Sequence, residues 1–208
     1  MKSGEGGCAY VVTAHKQSAV THSVVGQFTS AADLNLIVAK YSRIEVNLST
    51  QTGLKPVTEF NLYGRIAVIE VFRYKNEKKD CLFILTESCY ACILEYVDGK
   101  IITRAYGDMR DKNYSVSQSG MHACVDPEAR CIALRLYDGV LKIINLNSSS
   151  KHLTSAEQRI EEILVVDMCF LHTANKPTLA LLYDDNSVSE IQYYVTCNLL
   201  VIFVKTRI

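Results

Sequence analysis

Eight cysteines, five histidines and 22 carboxylates are the residues with which this 208-residue chain could do chemistry. Cys89-Tyr-Ala-Cys92 has the C-x-x-C spacing of a dithiol redox site or of half a zinc site. The first would open a helix, and the second would need another cysteine pair. Here Cys92 begins an alternating apolar and polar stretch, the pattern of a strand, and strand positions three apart point to opposite faces. The two sulfurs then diverge. Cys8, Cys81, Cys124, Cys131, Cys169 and Cys197 lie mostly within or at the ends of apolar runs, where unbridged cysteine packs as a small hydrophobe. His15, His22, His122, His152 and His172 are dispersed, with no ligand spacing. Glu161-Glu162 reads as adjacent surface charge before a strand. Asp184-Asp185-Asn186 offers the oxygens calcium takes, but without further ligands it reads as a turn. No Gly-x-Ser-x-Gly elbow, phosphate loop or dinucleotide fingerprint occurs. These residues predict no enzyme, no cofactor and no metal centre.

Bulk composition narrows the classes further. Lys plus Arg equals Asp plus Glu at 22 each, and the basic residues are scattered, so direct nucleic-acid binding is disfavoured. The start, residues 1–9, is small and polar and is expected to be disordered. It lacks the apolar core of a signal peptide, and no apolar run is long enough to span a bilayer, so no membrane association and a reducing compartment are expected. At 49% hydrophobic the chain can bury a substantial core.

The elements that would carry these residues are hairpins of one design, at 34–49, 81–96, 130–146 and 177–195. The clearest pairs two apolar arms about Asp138-Gly139, expected to take the positive φ angles of a type I′ turn; Asp98-Gly99 is another such dipeptide. Ile37, Phe83, Ala133 and Ala180 sit at comparable points, at intervals of 46, 50 and 47 residues. Strands repeating at that period predict an all-β fold, a partial β-propeller of three to four blades with four antiparallel strands each. In the first unit 54–60 is the outer strand, confined to an edge by Gly53 and Pro56. The second unit takes strands at 66–72, 81–86, 91–96 and 101–105, and the nearly continuous apolar run 81–86 predicts a strand covered on both faces. The third takes 121–125, 131–136 and 140–146, followed by a polar interval at 147–156. The fourth takes 163–171, 178–183 and 188–195. Residues 10–14 form an isolated strand candidate, and 196–208 offers one apolar strand in a divergent tail. Blades at 10–195 without closure would leave strand edges and an apolar face open, so the sequence reads as part of something longer.

Several stretches then carry a family resemblance. They are Tyr10-Val-Val-Thr-Ala, Gly26-Gln-Phe-Thr-Ser with Asp33-Leu-Asn-Leu, Tyr63-Gly-Arg-Ile-Ala-Val, Phe83-Ile-Leu-Thr, Ala91-Cys-Ile-Leu-Glu-Tyr, Ile101-Ile-Thr-Arg-Ala, Asp126-Pro-Glu and Leu134-Arg-Leu-Tyr-Asp-Gly. Together they resemble the N-terminal propeller of the family of multi-propeller scaffolds that includes the cullin-RING ubiquitin-ligase adaptor of the UV-damaged DNA-binding complex. The large cleavage and polyadenylation factor subunit and a splicing factor 3b subunit belong to the same family. The resemblance spans roughly 10–195. It implies three seven-bladed propellers and a helical C-terminal domain, with the middle propeller holding the cullin and the first and third forming a cleft for substrate receptors. This chain would supply the early blades of the first propeller. Its implied partners are substrate-receptor proteins of the ligase and the rest of the scaffold, with damaged DNA contacted through a partner subunit, in nucleus and cytoplasm. The resemblance also points to the loop 107–120 as the surface shown to receptors, with Arg110, Asp111, Lys112, Asn113 and Tyr114 as candidate contacts; Ser115 stands where another arginine is implied. A subunit of a pre-mRNA cleavage, polyadenylation or splicing assembly is the alternative, and a propeller hydrolase a remote third.

Overall fold

The computed structural model describes residues 15–117, 119–146, 150–160, 165–184, 193–196 and 199–206. The first sheet holds β1 (His22–Gly26), β2 (Asn35–Lys40), β3 (Arg43–Thr50) and β4 (Gly53–Asn61). The second holds β5 (Ile66–Phe72), β6 (Cys81–Thr86), β7 (Tyr90–Val97) and β8 (Lys100–Asp108). The third holds β9 (His122–Val125), β10 (Cys131–Tyr137), β11 (Val140–Asn145) and β12 (Ser155–Arg159). Each is an antiparallel meander in chain order. The fourth begins with β13 (Val165–Leu171) and β14 (Thr178–Asp184). The first strands β1, β5, β9 and β13 lie against one another in turn, so the four sheets fan out from a shared inner wall. This is the blade arrangement of a propeller, as the 46- to 50-residue repeat predicts. Among the described residues no helix is long and apolar enough to cross a membrane.

The four reference positions explain the repeat. Ile37, Phe83, Ala133 and Ala180 all sit in the second strand of their sheets, each paired on both sides. Side chains alternate faces along these strands, and in β6 and β10 both faces are buried. Leu82 and Ile84 pack with Ile37, Val46 and Ile69 between the first two sheets. Phe83 and Leu85 point the other way, joining Ile132, Leu134 and Ile144 between the second and third. Cys131 and Ala133 turn to Val165, Leu179 and Leu181 of the fourth. At ~1.5–3 kcal/mol for each buried aliphatic side chain, these three layers supply most of the driving force for stacking the sheets. Gly26 lets β1 and β5 approach, since a Cβ there would stand 2.5 Å from Val71 Cγ1 and 2.8 Å from Asp80 Oδ2.

Hydrogen bonds from two ion-paired side chains fasten neighbouring sheets along one side of the fan. Asp80 accepts from the Gln27 amide at 2.6 Å and from Arg73 Nε at 2.7 Å, tying the second sheet to the first. Arg130, held by the buried Asp126 at 2.6 Å, donates Nη2 to the Thr173 carbonyl at 3.0 Å, tying the third sheet to the fourth.

Several details differ from expectation. Asp98 and Gly99 both take positive φ (49° and 79°), but at Asp138-Gly139 only Gly139 does (72°), so that turn is not type I′. Asp138 is instead engaged through its carboxylate, as described below. β1 and β12 are absent from the predicted strands. β12 reads Ser-Ala-Glu-Gln-Arg and is an exposed outer strand, held by its ladder to β11 and by the Lys142–Glu157 ion pair, so it has no apolar alternation to read. The fourth sheet contains β15 (Tyr193–Thr196) and β16 (Leu199–Thr206) in the order β13-β14-β16-β15. β14 pairs with β16 in parallel, where 188–195 was expected to be its antiparallel partner; β15 pairs with β16 instead. The apolar run 199–204 belongs at a position flanked on both sides, and it takes that interior place while Tyr193–Thr196 takes the edge. The strand candidate 10–14, Glu161-Glu162, Asp185 and Asn186 lie outside the described residues.

Candidate functional site

Three connections carry the chain from the outermost strand of one sheet to the innermost strand of the next. Residues 62–65 make this crossing in four residues and 160–164 in five, whereas 109–121 takes thirteen. A crossing therefore needs no more than five residues, and the rest of the thirteen is chain free to do something else.

The surplus is tightly held. Met109, at the exit of β8, is buried and donates its amide to the Cys89 carbonyl at 2.9 Å. The Asp111 amide donates to the buried Tyr137 hydroxyl at 2.7 Å. Tyr114 is half-buried against the Tyr137 ring, centroids 5.6 Å apart, and Lys142 Nζ sits 5.7 Å from the same ring. Val116 forms a bridge with Tyr137, and the Ser117 amide donates to the Leu136 carbonyl at 2.9 Å. The Ser117 hydroxyl donates to Asp138 Oδ1 at 2.6 Å, an oxygen that also takes Arg135 Nη2 at 2.6 Å. The β10–β11 corner thus grips the connection at both ends.

The five sequence-selected residues divide accordingly. Arg110 is exposed and forms a two-pronged pair with Asp108, Nε to Oδ1 at 2.9 Å and Nη2 to Oδ2 at 2.6 Å, which holds the Asp108 carboxyl below its ordinary range. Its guanidinium lies 4.7 Å from the centroid of the Tyr90 ring. Asp111 accepts the Asn113 amide at 2.8 Å, and that hydrogen bond lowers its pKa. Lys112 and Asn113 are exposed. Tyr114 packs inward, so its role in the loop is chiefly support. The same side repeats the Arg110–Tyr90 pairing one sheet earlier, where Arg65 lies over Tyr41 at 5.6 Å beside the fully exposed Tyr63. Tyrosine and arginine are residues that protein-binding surfaces favour.

Reading the sequence alone misses the holders. Tyr137, Asp138 and Ser117 appear there only as a strand end, a turn and a loop residue; a buried tyrosine hydroxyl demanding a partner beside that turn is the one signal present. The chemistry first considered resolves into packing. Cys89 is buried in a turn with φ 59°, Cys92 lies in β7, and burial raises both thiols, Cys92 to about 11. Burial likewise pushes Cys81 up to about 12. Thiols so raised are protonated at neutral pH and are poor nucleophiles and ligands. Among the described residues no three histidine, cysteine or acidic side chains stand close enough to hold a metal ion.

Comparison with known proteins adds independent findings. Residues 19–201 match the family described as the RSE1/DDB1/CPSF1 first beta-propeller. The chain is 46% identical over 179 residues to DNA damage-binding protein 1a of Arabidopsis thaliana and 46% identical over 180 residues to DNA damage-binding protein 1 of Oryza sativa subsp. japonica. It is 44% identical over 179 residues to DNA damage-binding protein 1 of Solanum lycopersicum. Each alignment covers 85% of this chain and 16% of the relative, so the chain spans about one sixth of the length of these curated relatives.

Proposed function

The chain belongs to the RSE1/DDB1/CPSF1 first-propeller family, and from that premise we propose that it works as a non-enzymatic adaptor segment in a cullin-RING ubiquitin ligase serving DNA repair. Its task is protein–protein recognition: residues 109–121 contact substrate-receptor proteins, while other propellers of the scaffold hold the cullin. The observation that carries this reading is the thirteen-residue connection, three times longer than its counterpart at 62–65 and fixed in one shape with Arg110, Lys112 and Asn113 outward. Balanced charge supports a scaffold that reaches damaged DNA through a partner. We place it in nucleus and cytoplasm, where such ligases act.

Affinity purification of the protein carrying this sequence, followed by quantitative mass spectrometry, tests the reading. Wild type should recover substrate receptors and a cullin. Arg110→Glu with Lys112→Glu should cut receptor recovery roughly three- to tenfold, as expected for charges at an interface, with cullin recovery unchanged. Equal receptor recovery from both proteins would refute the assignment of the site. Recovery of polyadenylation or splicing factors as the main partners would move the chain to the pre-mRNA branch of its family.

A further inference from the structure

We propose that Tyr137 and the Asp138–Ser117 pair are positioning residues, a two-point clamp that gives the partner-facing connection its shape before any partner arrives. The proposal rests on the reading of 109–121 as a recognition surface for its functional meaning, but not for its geometry. The clamp comes from an element that precedes no part of the loop: the β10–β11 corner follows it by some twenty residues. At the first point the Tyr137 hydroxyl, 2% exposed as a residue, accepts the Asp111 amide at 2.7 Å while its ring backs Tyr114. At the second, Asp138 Oδ1 accepts the Ser117 hydroxyl at 2.6 Å, and the Leu136 carbonyl accepts the Ser117 amide at 2.9 Å. Between the points run Lys112, Asn113, Ser115 and Val116, all exposed.

Two fixed points with five residues between them leave the intervening chain little freedom. A partner then meets a formed surface and does not have to order thirteen residues on contact, and that ordering cost otherwise weakens binding. The clamp also links the loop to the third sheet. Asp138 is held by the fully buried Arg135 as well, so the second anchor is part of the blade. Tyr137 is tied in the same way, with its ring in the core layer between the second and third sheets. Tyr137 and Asp138 touch no partner in this scheme; they act through Asp111 and Ser117.

Hydrogen exchange of the intact protein read by mass spectrometry or NMR decides this, with Tyr137→Phe and Ser117→Ala as variants that keep the packing volume. Loss of one hydrogen bond from each anchor should speed exchange at the Asp111 and Ser117 amides about tenfold, with the amides of β10 and β11 unchanged. Ser117→Thr, which keeps the hydroxyl, should restore the slow rate. Unchanged exchange at Asp111 and Ser117 would overturn the clamp, and so would loosening that spreads equally through β10 and β11, because the hydroxyls would then be ordinary core contacts. Receptor recovery supplies the second readout: Tyr137→Phe should lower it several-fold through a faster off-rate. If Tyr137→Phe loosens the loop while recovery stays at the wild-type level and Arg110→Glu still lowers it, preorganisation has no part in recognition and the proposal fails. If neither variant alters recovery, the recognition reading fails, and the exchange result alone judges the clamp.

Discussion

The connections 62–65 and 109–121 leave the same kind of strand, cross on the same side of the fan and deliver the same kind of strand, yet one needs four residues and the other uses thirteen. Both place an arginine over a tyrosine at the corner between the second and third strands of the sheet just left, Arg65 over Tyr41 and Arg110 over Tyr90. The difference lies in what holds them. The short connection is fixed by its ends, through the Leu62 amide on the Ser42 carbonyl and the Ile66 amide on the Tyr41 carbonyl. The long one recruits side chains from a sheet not yet formed when the loop is made, Tyr137 and Asp138. The middle of the long connection is held here by the next blade, and its start by the preceding one.

That contrast can be broken most forcefully at Met109. Its side chain is buried where the long connection leaves β8, so Met109→Ala should cost about 2–4 kcal/mol in chemical denaturation, the range for a buried large-to-small change. An effect near zero would show that the connection is not anchored in the core. A smaller effect separates the inner wall from the loop by pH. Glu70, half-buried on β5 beside Cys124, has its carboxyl pushed up to about 7 by burial, whereas Asp108 and Asp111 are held low by their hydrogen bonds. The folded state therefore binds a proton at Glu70 that the unfolded chain has lost. Its contribution to stability is complete below about pH 4.5, fades as pH rises towards 7 and is absent above. Glu70→Gln should flatten that dependence and, allowing for solvent screening of a half-exposed group, gain on the order of 1–2 kcal/mol at pH 8. Identical pH profiles for wild type and variant would contradict the buried-carboxyl account. The least effect on folding is expected at Arg110→Ala, an exposed pair that should leave the denaturation midpoint unmoved while receptor recovery falls. A clear drop in midpoint would mean that Arg110 serves the fold and not a partner.

How much of this the sequence discloses depends on whether a residue's environment is local. β6 and β10 are legible because strands buried on both faces must be nearly all apolar, as Cys81–Thr86 and, apart from the ion-paired Arg135, Cys131–Tyr137 are. Asp98-Gly99 is legible because its turn is set by its own φ angles. β12 is not, since an outer strand facing water needs no apolar side chains and its ladder to β11 is made by backbone groups that every residue has. The parallel seat of β16 is hidden for a related reason: an apolar run shows that a strand is covered, not which neighbour covers it. Arg110, Lys112 and Asn113 are singled out only by the family resemblance, and the inward turn of Tyr114 not even by that. It depends on Tyr137, 23 residues away.

After β11 the chain does not pass directly to β12. Residues 151–153 cross to the outer edge of β8, where the Tyr106 amide donates to the Lys151 carbonyl at 2.9 Å and the Leu153 amide to the Tyr106 carbonyl at 2.8 Å. The Leu153 carbonyl also fills the space that a Cβ on Gly107 would need. During biosynthesis, the rim of the second blade therefore stays unsealed until the ribosome has released the third hairpin and the strap behind it. At ~5–20 residues per second, the 45 residues from Asp108 to Leu153 leave that rim bare for several seconds. In that window a nascent chain is most open to capture by a chaperone or by a stray strand. The second blade is thus finished by chain that follows the third hairpin, and a translational pause between those two points is where quality control would find it unfinished.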